Sequence, residues 1–272
     1  MNKLFVSSFW VLCCGALLLA SVCLAAPVAT VAAEQKVTTG RKRVLVLIDR
    51  SASIQSDANQ AFERIVEQIN KMGGYGDELG IGFIHGKTTA NAQIFRIEAR
   101  RPADYADMGG LDQDEADTDF ENQVRQQRRR MKDALRKSLT VAASDKIVQW
   151  SDVWGSLATM DTFFRSAGLS DNCQVFIVSD LVESMPGAGR RDFHKQHPAN
   201  DAAQLRQMAR ADVPKIRSIY GLGSASPLSK VDQFTVLFPA SGVQNSQNNA
   251  MTQYWTNVFE LLGLSRSKML FQ

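Results

Sequence analysis

Arg43-Val44-Leu45-Val46-Leu47-Ile48-Asp49-Arg50-Ser51-Ala52-Ser53 is the stretch on which the fold turns. From Val44 to Ile48 the run is unbroken valine, leucine and isoleucine. A strand of that composition is buried on both faces, which is the situation in parallel sheets covered by helices on either side. An aspartate and two serines follow where the strand ends. In doubly wound sheets, ligands bind beyond the carboxyl ends of strands, near the point where strand order reverses. A carboxylate followed by hydroxyls two and four places on can turn three oxygens towards one point in a tight loop.

Working outward, Ala58, Ala61, Phe62, Ile65, Val66, Ile69 and Met72 recur at helical spacing, and Gly73-Gly74 supplies a stop. Leu79 to His85 reads as a second strand and Gln93 to Ala99 as a third, at an edge. Strand, helix and strand within some 40 residues make a right-handed βαβ unit. Further buried positions mark a helix from Val153 to about Ser166, a strand from Gln174 to Ser179, a helix over Ala202 to Ala211 and a strand over Gln233 to Phe238. A closing helix runs from Met251 to Leu262, with Trp255 and Phe259 inward. Leu181 to Pro198 reads as a loop, and Arg217 to Leu222 as either helix or strand. The expected fold is α/β: a doubly wound, mostly parallel sheet flanked by helices, with one antiparallel edge strand. The domain spans 41–265, followed by a tail, 266–272.

Pro102 to Asp117 has no usable periodicity, and a charged insertion is expected near 102–130. Six acidic residues and no basic one fall between Asp112 and Glu121. Thr118 and Glu121 have the spacing of a capping box. The helix they would open has Phe120, Val124, Met131, Leu135 and Leu139 inward and Arg125, Arg128, Arg129, Arg130, Lys132, Arg136 and Lys137 outward.

The chain has 272 residues and a formal net charge of +3. So mild an excess gives no global argument for nucleic acid or an anionic membrane as the partner. Lys3 precedes an apolar run from Leu4 to Ala26, and small residues follow, the pattern of a secretory signal. Residues 1–33 are therefore expected to be a cleaved signal peptide or, since the run is long enough to span a bilayer, an uncleaved anchor. A lipoprotein signal at Cys23 is a third reading. The expected location is the bacterial periplasm, free or anchored in the inner membrane and facing it. Residues 34–40 form a polar linker. Only Cys173 remains in the mature chain, so no internal disulfide can form and the fold rests on its core.

Two later junctions resemble the first. Ser151-Asp152 precedes the helix at Val153, and Asp180 follows the strand ending at Ser179. Together they resemble the metal-ion-dependent adhesion site of the von Willebrand factor A family, with its Asp-x-Ser-x-Ser, a distant threonine, then an aspartate. Asp49, Ser51 and Ser53 match the first motif. Ser151, in Ser-Asp-Val-Trp-Gly-Ser-Leu, stands where the family has threonine. Asp180, in Val-Ser-Asp-Leu, stands at the last aspartate, without the glycine that usually follows it. The resemblance implies a Mg²⁺ site, or one for Mn²⁺ or Ca²⁺, on Asp49, Ser51, Ser53, Ser151 and Asp180, with Asp152 an alternative ligand to Ser151. Oxygen donors suit a hard cation of this kind. With only two aspartates in the set, the ion stays electrophilic and can accept a partner's carboxylate.

The leading expectation is thus a non-enzymatic, exported module that binds another protein through an Asp or Glu side chain. Membrane contact would come only through the N-terminal segment. An interaction scaffold with a degenerate metal site, binding through 112–137 and the run Arg128, Arg129 and Arg130, is an alternative. A metal-dependent phosphoester hydrolase with Asp49 as nucleophile is another. It would need an acid two places on, where Ser51 stands, and a hydroxyl is no general acid near neutral pH. No aromatics interleave the basic run, which argues against single-stranded nucleic acid. His194 and His197, beside Asp192, have a ligand-like spacing but sit in an expected loop, which favours solvated side chains.

Overall fold

Five consecutive β1 side chains, Val44 to Ile48, have no solvent exposure at all. β1 (Lys42–Asp49) lies inside a six-stranded sheet of order β3-β2-β1-β4-β5-β6. The computed structural model describes residues 40–50, 58–86, 88, 91–144, 150–198, 201–223, 228–238 and 246–272. The apolar segment 1–33, the linker up to residue 39, and Ser51 and Ser53 lie outside the described residues.

Alternation along β1 divides the core in two. Leu45 and Leu47 join the cluster with α3 (Val153–Phe164), α4 (Ala202–Tyr220) and α5 (Ser246–Leu261). Val44, Val46 and Ile48 join α1 (Ala58–Asn70) and α2 (Gly110–Ser144) on the other face. Each such side chain contributes roughly 1.5–3 kcal/mol on burial. Both neighbours of β1, β2 (Glu78–Ile84) and β4 (Asn172–Val178), run parallel to it, and β5 (Gln233–Leu237) runs parallel to β4. β3 (Gln93–Arg96) pairs antiparallel with β2 and forms the expected edge.

The first βαβ unit closes with its own cap. Asp77 accepts hydrogen bonds from the backbone N–H groups of Gly73 and Gly74 at 2.8 and 2.9 Å, and of Lys42 at 2.7 Å. One carboxylate thereby ends the turn after α1 and fixes the entry of β1. Cys173, at the start of β4, is fully buried, and burial pushes its thiol up to about 11.

Three expectations need correction. The long helix does not start at Thr118: α2 begins at Gly110, and the Thr118 hydroxyl donates to the Asp114 carbonyl inside it at 2.8 Å. None of the residues from Gly110 to Asp119 is buried, so no apolar stripe announces this half of the helix. Acidic residues favour a helix N-terminus because they complement its dipole. Specific side chains then pin it: Asp117 accepts from Arg101 at 2.6 Å and from the Tyr105 hydroxyl at 2.9 Å, and Gln113 donates to the Tyr105 carbonyl at 3.0 Å. The second half of the supposed insertion is likewise helix.

Secondly, residues 266–272 are not simply a tail. Met269–Phe271 form β6, parallel to β5, and Gln272 continues the ladder by donating to the Val236 carbonyl at 2.9 Å. Thirdly, the helix expected over Ala202 to Ala211 does not end there: α4 runs on to Tyr220 through Pro214, and Gly221 caps it with φ +63, a value glycine adopts without steric cost. This settles Arg217 to Tyr220 as helix. Among the described residues no helix is long and apolar enough to cross a membrane.

Candidate cation site at the β1–β4 junction

After β1 the chain moves to β2 and β3 on one side, and returns to β4 on the other. The carboxyl ends of β1 and β4 therefore flank the point where strand order reverses, the crevice that doubly wound sheets offer to ligands. Asp49 ends β1 there with no solvent exposure. Its Oδ1 accepts a hydrogen bond from the Ser151 hydroxyl at 3.0 Å, and its Oδ2 one from the Ser179 hydroxyl at 2.7 Å. Asp49 and Ser151 are thus brought together as the sequence implies. Ser179 is a member the sequence reading did not include. Its signal was a polar residue closing the apolar run of β4, one place before Asp180.

Asp180 follows, half-buried, and its Oδ1 accepts from the Val182 N–H at 3.0 Å. That local bond fixes the carboxylate against its own loop, one residue past Ser179. Among the described residues no three His, Cys, Asp or Glu side chains cluster so as to hold a metal ion. A cation here would depend on hydroxyl and water oxygens beside the aspartates. The described donors are oxygens, the type a hard cation would take. Neighbouring ligands of an octahedral Mg²⁺ stand about 2.9 Å apart, close to the 3.0 Å between Ser151 Oγ and Asp49 Oδ1. Of the residues the resemblance names, Asp49, Ser151 and Asp180 are described and would hold it.

Asp152 is occupied otherwise. It is the N-cap of α3, its Oδ1 accepting from the Gly155 N–H at 2.9 Å, and the same oxygen receives Arg190 Nη2 at 2.6 Å and the Tyr220 hydroxyl. A Cβ on Gly155 would stand 2.6 Å from Asp152 Oδ2 and 2.9 Å from Thr88 Cβ, so the glycine of Ser-Asp-Val-Trp-Gly is required by close approach. The Thr88 hydroxyl donates to the carbonyls of His85 and Asp152 at 2.9 and 3.0 Å, tying the end of β2 to the start of α3. Burial, then the neighbouring Arg50, push the His85 imidazole below its usual value.

The segment after Asp180 is a loop, yet much of it is buried. Leu181 has φ +59, the left-handed region that glycine favours, and no solvent exposure. Its N–H donates to Ser179 Oγ at 2.9 Å, and its carbonyl accepts from Trp255 Nε1 at 2.7 Å. The backbone thus makes the turn a glycine would make there, with leucine in its place. Glu183 is fully buried, and burial raises its carboxyl to about 8, even with the Arg190 guanidinium against it. Ser184 forms a two-way link: its N–H donates to the Ser151 carbonyl at 3.0 Å, and its hydroxyl accepts from the Ser151 N–H at 2.7 Å. His194 and His197 are exposed, and Asp192 pairs with Lys195 at 2.9 Å, which holds its carboxyl below the usual range.

No known protein family and no curated protein matches the sequence. Among solved structures, the pilus adhesin SpaC from Lactobacillus rhamnosus GG, in its open conformation, is similar at 9% identity and a TM-score of 0.42. The match covers 86% of this chain and 28% of the adhesin, so the chain spans well under a third of that protein. A likeness at this level assigns neither family nor activity.

The basic run divides. Arg128 is half-buried and its Nε donates to the Met72 carbonyl where α1 has ended, so it is not part of a purely solvated or partner-facing patch. Arg129 and Arg130 are exposed. Arg128→Glu should therefore lower stability by about 1.5–3 kcal/mol, the range for a hydrogen bond made by a charged group. Arg129→Glu and Arg130→Glu should stay within about 0.5 kcal/mol. Urea denaturation of the three variants checks this; equal midpoints would show that Arg128 is no anchor.

Proposed function

We propose that the chain is a non-enzymatic, cation-dependent protein-binding module of von Willebrand factor A type, with Mg²⁺, Mn²⁺ or Ca²⁺ held by Asp49, Ser51, Ser53, Ser151 and Asp180. Such a cation offers an open coordination position to an Asp or Glu carboxylate of the partner. The observation that carries the proposal is the fully buried Asp49 carboxylate at the switch point, with the Ser151 hydroxyl 3.0 Å away. Asp152, already engaged by its cap, Arg190 and Tyr220, is the weaker ligand candidate. Hydroxyl donors on both Asp49 oxygens also suit a ligand held in place better than a free nucleophile. The apolar run Leu4 to Ala26 supports export to the bacterial envelope, periplasmic or anchored facing the periplasm.

Calorimetric titration of the purified protein with Mn²⁺ should give a single site, absent in Asp49→Ala. Superimposable isotherms for the two proteins would sink the cation reading. The scaffold alternative, binding through 112–137, would then stand on the exposed Arg129 and Arg130 beside the acidic half of α2.

A further inference from the structure

We propose that Arg190 is a positioning residue for this site: one guanidinium holds Ser151 in place and keeps Asp152 out of the ligand set. The inference rests on the cation reading above. Arg190 lies in the loop beyond β4, with its side chain 10% exposed, yet its contacts converge on the start of α3. Nη2 reaches Asp152 Oδ1 at 2.6 Å and Glu183 Oε1, while Nη1 meets the Tyr220 hydroxyl. The guanidinium carbon lies over the Trp154 and Tyr220 rings, 5.1 and 5.4 Å from their centroids. A planar fork that bridges two carboxylates and packs on two rings is a task for arginine, not lysine.

The position of these partners gives the clasp its consequence. Asp152 is bonded in sequence to Ser151, and Glu183 lies three residues past Asp180. Glu183 Oε2 also accepts from the Trp154 N–H at 2.9 Å, and Ser184 bonds both backbone groups of Ser151. The arginine therefore ties together the two junctions that supply Ser151 and Asp180. It also pairs with the carboxylate of Asp152, the residue next to Ser151 in the chain. With that charge engaged, the site keeps two acidic ligands, Asp49 and Asp180. Outer groups that orient metal ligands change affinity by about 10- to 100-fold when removed.

The test is a mutant cycle read by Mn²⁺ calorimetry, with melting temperature measured separately in chelator. Arg190→Lys keeps the charge and loses the fork. Asp152→Asn keeps a capping side chain and loses the ion pair. Each should weaken Mn²⁺ binding by about tenfold, and the double variant should be no weaker than the worse single, because both break one link. Tyr220→Phe, which removes only a hydroxyl partner from the clasp, should weaken binding in the same direction and provides a milder variant if Arg190→Lys folds poorly. Three results overturn the proposal. A lower melting temperature for Arg190→Lys and Tyr220→Phe, with Mn²⁺ bound as in wild type, would make the clasp merely structural. Asp152→Asn abolishing binding, as Asp49→Ala does, would make Asp152 a ligand. Additive losses would separate Arg190 from Asp152. A wild-type protein that binds no Mn²⁺ would instead remove the underlying cation reading, and this inference with it.

Discussion

Asp212→Ala is expected to lose about 3–5 kcal/mol of folding stability, the cost of leaving a buried ionic partner uncompensated. Asp212 has no solvent exposure and lies on α4. The Arg191 fork reaches its two oxygens at 2.7 and 3.1 Å, Lys215 approaches to 3.2 Å, and the buried Tyr254 hydroxyl donates to it at 3.1 Å. One carboxylate thus joins three pieces: the loop beyond β4, α4 and, through Tyr254, α5. Removing it leaves the Arg191 guanidinium, its side chain 23% exposed, without a counter-charge, and the Tyr254 phenol without its acceptor. Asp212→Asn keeps an acceptor for Tyr254 and should lose less. Urea denaturation at pH 7 is the measurement, and a loss below about 1 kcal/mol for alanine would show that Arg191 re-solvates freely.

The second large effect concerns Leu181. Leu181→Ala should destabilise the protein by about 2–5 kcal/mol, the usual cost of truncating a fully buried leucine. Leu181→Gly deletes more side chain, yet it should be the more stable of the two by about 1 kcal/mol. At φ +59 alanine keeps the clash between Cβ and backbone that the left-handed region imposes, and glycine does not. At an ordinary position the order is reversed, so the ranking itself is the test. Alanine ranking above glycine would mean that the backbone relaxes out of this conformation once leucine is gone.

These cases show how far the sequence could be read. The apolar run before Asp49 was enough to place a central strand and an acidic group at its carboxyl end, because burial on both faces leaves a signal within a few residues. Ser151 was legible for the same reason, at the start of a helix that is almost wholly buried. The first half of α2 was not legible, since its support comes from Arg101 and Tyr105 instead of an apolar face. β6 has three residues, too few for a period to show. Glu183, Arg190 and Tyr220 carried no local pattern at all: Arg190 meets Asp152 across 38 positions, and Tyr220 meets it across 68. The motif here lacks the glycine that usually follows its last aspartate. The backbone there adopts a glycine-like φ nonetheless, because burial of the side chain and the Trp255 bond offset the strain.

The place of β1 in the sheet has a bearing on how the protein is made. Its pairing with β4 joins residues such as Lys42 and Asn172, about 130 positions apart in the chain. Native contacts over such distances are slow to form, because loop entropy is lost before they stabilise anything. During that delay Val44 to Ile48 is an uncovered apolar strand, and unpaired strands of this kind seek any partner edge they meet, including those of other chains. Refolding yield should therefore fall as protein concentration rises, and a chaperone that shields this short segment would do more for recovery than one acting on the polar face of α2.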